Sequence, residues 1–332
     1  MTERLLPPGT TAWILGDGKI GDEVQCLGLA EALGVVSEKR LIRPRAPWSW
    51  IIPFGPIDPR DAPARAGSPI APPYPDIVIA SGRRTVSYLR ALKRASNGRV
   101  FTVFLKDPYI GARAADLILG HQHDRLRGDN VFVTVTPSNR LSQAVLAQAR
   151  AAPDPRIASL PAPRLALLLG GTSGKYDFSQ ADIDTLAASA ARHAREGHSL
   201  MVTPSRRTPG LVTEAIAMAL LASGRPHFIW RGDGPNPYIP MLAHADAFLV
   251  TADSVNLVGE AVTTGKPVLS YEPSGRGHPK MTNYIESLIA LGAVRRYRGV
   301  IENFSYVPID ATPAMARETA RRYRAFRALA VD

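Results

Sequence analysis

The feature that most constrains the fold of this chain is the order of elements in residues 247–271, AFLVTADSVNLVGEAVTTGKPVLSY. An apolar run ends in a polar turn, an amphipathic segment follows, Gly265 and Pro267 stop it, and a second apolar run begins. This order predicts a strand, a turn, a helix and another strand. Two strands joined by a crossover helix pair in parallel, so the stretch predicts an α/β protein with a parallel sheet.

The start of this helix is a candidate anion site. A helix that begins at the carboxyl end of a parallel strand presents free N–H groups and a positive dipole to an anion. The first residues in question are Ser254, Val255 and Asn256. Glu260 lies about 9 Å beyond Ser254 along the helix, which is roughly the step from a diphosphate to a ribose. The alternative is an ordinary capped helix, with Asp253 or Ser254 as the N-cap and Glu260 in solvent.

A similar strand, glycine turn and helix are predicted over residues 12–33. The glycine spacing there differs from the dinucleotide-binding fingerprint, so a nicotinamide enzyme is disfavoured. Asp17 and Asp22 lie on the turn, either as catalytic groups or as caps of the helix that follows. Lys106 follows another predicted strand, so it is expected at the same carboxyl edge of the sheet as Asp17 and Asp22.

A cluster of prolines in residues 151–163 separates two series of alternating strands and helices. We therefore predict an N-terminal Rossmann-like domain over residues 1–152 and a C-terminal Rossmann-like domain over residues 153–311. A final helix occupies residues 312–332. Its predicted apolar stripe consists of Met315, Tyr323, Phe326 and Ala330.

Four turns of the second half are expected to converge on a nucleotide, because each follows a predicted strand. They are a glycine turn at 170–175, an arginine pair within 203–207, the helix start at 254–260 and a loop at 274–280. The glycine turn does not have the spacing of a Walker A loop. The residues predicted to bind the nucleotide and its phosphates are Gly171, Thr172, Ser173, Lys175, Ser205, Arg206, Arg207, Ser254, Val255, Asn256 and Glu260.

Composition narrows the kind of partner. The 332 residues carry 40 basic and 29 acidic side chains, a formal charge of +11, which favours anionic ligands or an anionic membrane surface. Aromatic residues make up only 7% and the basic residues are scattered, so we expect no nucleic acid partner. The single cysteine, Cys26, indicates a reducing compartment. With no long apolar run and no secretory signal in the sequence, we expect a cytoplasmic protein, with a position at the inner face of the membrane as the alternative.

We also expect no bound metal. His121 and His123 could hold an ion only with a third ligand from elsewhere, and the spacing of the chain indicates none.

The motifs LGDGKIGDEVQCLGLAEALG, LKDPYIGARAADLILGHQHD and LLLGGTSGKY, together with residues 247–271, resemble the plant mitochondrial fission family called after elongated mitochondria, which has many bacterial homologues. Residues 247–271 also resemble the nucleotide-sugar donor motif of GT-B glycosyltransferases. This resemblance implies a GT-B-like fold, with two Rossmann-type domains facing one another across a cleft. It further implies that the C-terminal helix packs back on the first domain.

The same resemblance assigns roles to individual residues. Ser254, Val255 and Asn256 would hold the donor diphosphate, and Glu260 the ribose. The loop after the next strand would contact the donor sugar through Arg276 and His278, with Asn283 on the helix that follows. Asp22 would be the catalytic base and Asp17 its reserve. The implied activity is a metal-independent glycosyltransferase whose nucleotide sugar is a substrate rather than a cofactor. The implied acceptor is an anionic component of the cell envelope or a lipid.

Two alternatives share this fold. Non-hydrolysing nucleotide-sugar 2-epimerases carry His-Arg-Arg where Ser205, Arg206 and Arg207 stand, and paired glutamates where residues 256–260 contain one. These differences count against epimerisation. The other alternative is a non-catalytic scaffold that recruits partners, as the plant members are thought to recruit a division dynamin.

Overall fold

The computed structural model describes residues 5–329, which divide into two compact units. The described part of the first unit comprises residues 5–140 and 311–329, and the second comprises Leu141–Asp310. The division therefore falls about a dozen residues before the boundary predicted at 152. The reason is that the helix Gln143–Ala151 packs on the second unit, where Gln143 Nε2 donates to the carbonyl of Thr263 at 2.7 Å.

The first unit contains a six-stranded parallel sheet. Its strands are β1 (Thr11–Gly16), β2 (Val36–Leu41), β3 (Ile77–Ser81), β4 (Phe101–Leu105), β5 (Leu117–His121) and β6 (Val131–Thr134). Its helices are α1 (Ile20–Leu33), α2 (Trp48–Ile51) and α3 (Thr85–Ala95). Strands β3, β4 and β5 are buried along their whole length, as expected of a sheet covered on both faces.

The strand order is β2-β1-β3-β4-β5-β6. The chain leaves β1 toward β2 on one side and then returns to place β3 on the other side, so the order reverses between β1 and β3. Ligands of open α/β sheets bind outside the carboxyl ends of the strands at such a reversal. Strand β2 was not predicted, because VSEKRL contains no apolar run and lies half exposed at the sheet edge.

The second unit is a parallel sheet of six strands, in the order β12-β11-β10-β7-β8-β9. The strands are β7 (Arg164–Leu169), β8 (Ser199–Pro204), β9 (His227–Ile229), β10 (Ala247–Thr251), β11 (Val268–Tyr271) and β12 (Val294–Arg296). The helices are α4 (Gln143–Ala151), α5 (Pro155–Ala158), α6 (Gln180–Arg195), α7 (Gly210–Ser223), α8 (Tyr238–His244), α9 (Val255–Thr263) and α10 (Pro279–Ala290). Read from β9, this is the doubly wound order of dinucleotide-binding domains, and it reverses between β7 and β10.

The last helix, α11 (Thr312–Leu329), packs on the first unit, as predicted. Met315 and Tyr323 are buried in its core, and the rings of Tyr323 and Phe326 lie 5.8 Å and 5.3 Å from that of Phe101. Ala330, the last residue of the predicted stripe, lies outside the described residues. No helix within residues 5–329 is both long and apolar enough to cross a membrane.

Candidate functional site

The predicted helix start after β10 is present, and Ser254 is its N-cap. The Ser254 hydroxyl accepts a hydrogen bond from the backbone N–H of Leu257 at 3.4 Å. Asp253 is not the cap. The capping serine leaves the first turn of α9, with Val255 and Asn256, at the reversal point of the sheet. N–H groups in the first turn of a helix have no partner within the helix, so this end suits an anion.

Glu260 does not lie in solvent. It is half-buried on α9, and its Oε2 accepts a hydrogen bond of 2.5 Å from the hydroxyl of Tyr238, the first residue of α8. Burial raises the pKa of Glu260 to about 7, against the lowering effect of the Tyr238 hydroxyl. Burial, with the Glu260 carboxylate beside it, also raises the pKa of Tyr238 well above its usual value. A half-buried carboxyl group of this kind suits hydrogen bonds from the hydroxyls of a ligand.

The raised pKa of Glu260 predicts that burying its carboxylate lowers the free energy of unfolding by an amount that depends on pH. Because its pKa is raised on folding, from 4.5 to about 7, the stability associated with its neutral form is present at acid pH and is lost as the pH rises through that interval. We expect Glu260→Gln to gain up to about 3 kcal/mol in unfolding free energy over the wild type between about pH 5 and about pH 8. Urea denaturation across that range measures the difference. A difference that stays constant with pH would contradict the assignment.

Two glycines of the turn after β7 let its backbone approach the neighbouring turns more closely than any residue with a side chain could. A Cβ atom on Gly171 would lie 2.2 Å from the carbonyl carbon of Arg207, and one on Gly170 would lie 2.2 Å from both carboxylate oxygens of Asp253. The Thr172 N–H donates to the Arg207 carbonyl at 3.0 Å, while the Ser173 hydroxyl accepts from the N–H of Lys175. The turn after β7 is therefore packed against the turns after β8 and β10.

Asp253 joins two of these turns. Its side chain is 1% exposed, and it accepts hydrogen bonds from the Gly171 N–H and from the Thr251 hydroxyl, both at 2.7 Å. Burial raises the pKa of Asp253, although both bonds favour the ionised form. Arg207 Nη2 lies 3.9 Å away. Sequence reasoning treated Asp253 only as a cap, whereas its bonds fix the positions of the residues around the reversal point.

The turn after β8 is held by hydroxyl groups. The Ser205 hydroxyl donates to the Gly170 carbonyl at 2.9 Å, and the Ser205 N–H donates to the Thr208 hydroxyl at 2.8 Å. Ser205 thus holds the turn, while Arg206 and Arg207 are exposed. Arg207 Nη1 also donates to the Thr172 carbonyl at 3.3 Å. The two guanidinium groups are the groups of this turn best placed for a phosphate.

The predicted sugar loop is bonded to the glycine turn. The Asp177 N–H donates to the Ser274 carbonyl at 2.8 Å, and the Gly277 N–H donates to the Lys175 carbonyl at 3.1 Å. His278 is the N-cap of α10, where its Nδ1 accepts from the Lys280 N–H at 3.1 Å. It is therefore a helix cap rather than a loop histidine without a task, and its Nε2 is the atom left for a ligand.

The four turns present an uncompensated positive charge. Lys175, Arg206 and Arg276 are exposed and form no ion pair within residues 5–329, and Asn283 is exposed one turn into α10. The structure thus brings the predicted nucleotide residues together at the ends of four neighbouring strands, β11, β10, β7 and β8. The residue that sequence reasoning missed is Tyr238, for which neither a motif nor a strand end gave a signal.

In the first unit, Asp17 and Asp22 lie together where the strand order reverses. The N-cap of α1 is Lys19, which makes no capping bond with its side chain, so neither aspartate caps this helix. Asp22 Oδ1 accepts a hydrogen bond from Lys106 Nζ. A Cβ atom on Gly82 would lie 3.2 Å from Asp22 Oδ2 and 3.3 Å from Asp17 Oδ1. The carboxylates of Asp17 and Asp22 therefore both lie next to Gly82, in the turn after β3.

Asp17 is the more deeply buried of the two. Its side chain is 2% exposed, Lys19 Nζ lies 3.5 Å from its Oδ2, and its Oδ1 has no hydrogen-bond partner among the described residues. Lys106 has a φ of +78°, an unusual conformation for a residue with a side chain. Such conformations cluster at functional sites. Two acidic groups, one of them bonded to a lysine, form a site that could accept a proton from a substrate hydroxyl.

The third candidate metal ligand beside His121 and His123 is the next residue, Asp124. Their ligand atoms lie within 4.8 Å of one another. The two imidazole rings stack with centroids 5.1 Å apart, and His121 Nδ1 lies 3.4 Å from Asp124 Oδ2. The sequence indicated no third ligand, and this was wrong. The absence of a metal from the reaction stays a prediction.

Comparison with solved structures places the fold of this chain in a known class. The UDP-GlcNAc 2-epimerase of Methanocaldococcus jannaschii matches 97% of this chain and 99% of its own, with a TM-score of 0.53 and 10% identity. MurG of Acinetobacter baumannii matches 97% of this chain and 94% of its own, with a TM-score of 0.51 and 12% identity. The fold is GT-B-like, with two Rossmann-type units, as predicted.

The family model named Mitochondrial fission ELM1 matches residues 20–323, so the chain belongs to that family. The mitochondrial fission protein ELM1 of Arabidopsis thaliana is 30% identical over 279 residues, 76% of this chain and 64% of that protein. The uncharacterized protein RP120 of Rickettsia prowazekii (strain Madrid E) is 29% identical over 157 residues, 46% of this chain and 44% of that protein. This chain thus spans less than two thirds of either relative.

Proposed function

We propose that this protein is a glycosyltransferase that uses a nucleotide sugar and no metal. The observation that carries the proposal is the glycine turn at the reversal point of the second unit, which is bonded to the turns after β8, β10 and β11, together with the half-buried Glu260 on α9. A fold relative with a TM-score of 0.50, the UDP-GlcNAc 2-epimerase of Neisseria meningitidis, was solved bound to UDP-GlcNAc, which supports a nucleotide-sugar ligand.

We assign binding of the nucleotide-sugar donor to the second unit. The first turn of α9 and the guanidinium groups of Arg206 and Arg207 hold the diphosphate and stabilise the charge that develops on it when it leaves. Glu260 accepts hydrogen bonds from the ribose hydroxyls, with Tyr238 fixing its position. Backbone groups at 171–173 and the Lys175 ammonium approach the phosphates or the sugar. Arg276, His278 and Asn283 are assigned to the sugar.

We assign the catalytic base to the first unit. The acceptor hydroxyl oxygen attacks the anomeric carbon of the sugar, the bond from that carbon to the diphosphate oxygen breaks, and Asp22 takes the hydroxyl proton. Lys106 holds Asp22 in position through its hydrogen bond. Asp17 is the reserve base. The acceptor is an anionic component of the cell envelope or a lipid, which matches the charge of +11. Peripheral contact with the inner face of the membrane follows from such an acceptor.

The test is a thermal-shift screen against UDP, GDP, CMP, dTDP, ADP and their sugars. A ligand present at 100 times its Kd adds about 2.7 kcal/mol to stability, so one nucleotide is expected to raise the Tm clearly. Glu260→Ala is expected to remove that rise. Glu302→Ala, at a surface carboxylate paired with Arg295, is expected to keep it.

Each alternative has its own outcome in this screen. If no nucleotide raises the Tm of the wild type, the glycosyltransferase proposal is overturned and a partner-recruiting scaffold becomes the better account. Stabilisation by a nucleotide sugar, followed by its conversion to an epimer without any acceptor, would favour the epimerase. Stabilisation that survives in Glu260→Ala would contradict the assigned ribose contact.

A further inference from the structure

Three large aromatic side chains of the first unit are unusually exposed: Trp50 by 73%, Phe54 by 74% and Tyr109 by 61%. Together with other residues of 50–55 and Arg83 they line one open pocket of about 930 Å³, which we call the apolar groove. Clustered exposed apolar side chains mark binding sites. The volume lies at the upper end of the roughly 300–1,000 Å³ of small-molecule sites.

The wall of the apolar groove is anchored. Ile52 is buried in the core, the Ser87 hydroxyl donates to the Gly55 carbonyl at 2.8 Å, and Arg83 Nε donates to the Ile52 carbonyl at 2.7 Å. Trp50 and Phe54 lie two residues to either side of Ile52 and remain exposed. Because the backbone beneath them is fixed by these contacts, the exposed aromatic side chains are held in position before a ligand binds.

The apolar groove carries a positive charge that no acidic group neutralises. Arg83 donates only to the carbonyls of Ile52 and Trp50, and neither Arg83 nor Arg84 forms an ion pair in the described part of the chain. An arginine beside exposed aromatic rings suits a molecule with a phosphate at one end and hydrocarbon beyond it. A flat protein partner would not need the concave shape, and a soluble anion would not need the aromatic rings.

The charged end of the apolar groove adjoins the aspartate pair. Arg83 follows Gly82, whose Cβ position lies 3.2 Å from Asp22 Oδ2. Tyr109 lies three residues after Lys106, which donates to Asp22. Tyr109 has a φ of +67°, so the backbone of this segment is strained at both residues. A ligand with its phosphate at Arg83 would have its polar end at the base and its chain in the apolar groove.

We propose that the apolar groove binds the hydrocarbon chain of a phosphate-bearing lipid, with the phosphate at Arg83. The inference rests on the proposed sugar transfer in one respect, because the bound lipid would be the acceptor.

Dodecyl phosphate, titrated in its monomeric range while tryptophan emission is recorded, tests this proposal. We expect a blue shift of the emission in the wild type as Trp50 becomes covered. The double variant Trp50→Ser, Phe54→Ser lacks the Trp50 reporter, so its binding is followed by calorimetry. It is expected to bind at least about tenfold more weakly than the wild type, because two apolar contacts are lost. Its Tm should stay unchanged, since both side chains are exposed. Leu211→Ser, at a residue 72% exposed in the second unit, is expected to bind normally when binding is followed by calorimetry.

The lipid site would be overturned if the wild type did not bind dodecyl phosphate, or if the double variant bound it equally well. Equal affinity for inorganic phosphate would also overturn it, because the chain would then contribute nothing. Binding of dodecyl phosphate without any nucleotide-induced rise in Tm would leave the lipid site standing and remove only its role as the acceptor site.

Discussion

Replacing Gly171 with alanine is expected to abolish nucleotide-induced stabilisation and to lower the free energy of unfolding by about 2–3 kcal/mol. The added Cβ would lie 2.2 Å from the carbonyl carbon of Arg207 and 2.3 Å from its oxygen, and backbone atoms cannot swing aside as a flexible side chain can. The turn after β7 would have to move away from the turn after β8. Urea denaturation and the thermal-shift assay measure the two effects.

Gly174 provides a control within the same turn. A Cβ at Gly174 would have no atom within 4 Å, so Gly174→Ala is expected to fold and to bind nucleotide as the wild type does. If Gly171→Ala matched Gly174→Ala in both measurements, the close approach of the two turns would not be needed for binding.

Substituting Asp22 by asparagine is expected to lower kcat by about 10²–10⁴-fold, the usual contribution of a general base, while the nucleotide-induced rise in Tm stays unchanged. Asparagine keeps the shape of the side chain but accepts no proton. The assay follows release of the nucleoside diphosphate from the sugar nucleotide found in the screen, in the presence of an envelope lipid extract.

Glu31→Gln is the matched control, because Glu31 lies on the same helix and pairs with Arg140 at the surface. It should keep full activity. If Asp17→Asn lost activity and Asp22→Asn did not, the two aspartates would exchange roles. If neither substitution changed the rate, the base would lie elsewhere.

Most of the fold could be predicted from the sequence because buried parallel strands are nearly continuous apolar runs. Strands such as Phe101–Leu105 and Ala247–Thr251 are recognisable without their neighbours. Strand β2 was missed for the opposite reason, since VSEKRL is an exposed edge strand whose position depends on pairing with β1. The proline cluster at 151–163 indicated a boundary, but contacts of the preceding helix, rather than composition, decide to which unit it belongs.

The sequence was enough to predict which turns form the candidate site, but not the hydrogen bonds that its side chains form. Glycines and charged residues after apolar runs indicated four converging turns, because strand ends of a parallel sheet share one edge. Three roles depended on contacts between distant residues and could not be inferred. These are the bond between Tyr238 and Glu260, the bonds from Asp253 to the glycine turn, and the bond from Lys106 to Asp22.

The return of α11 to the first unit has a consequence for the order of folding. Met315, Ala316, Ala320 and Tyr323 belong to the core of the first unit, yet they are synthesised after the whole of the second unit. The second unit is one continuous segment, Leu141–Asp310, and all of it has been made before α11 exists. On the ribosome the second unit can therefore complete its core first, whereas the first unit waits with an uncovered sheet face. We therefore expect this chain to reverse the usual order, in which the N-terminal domain folds first.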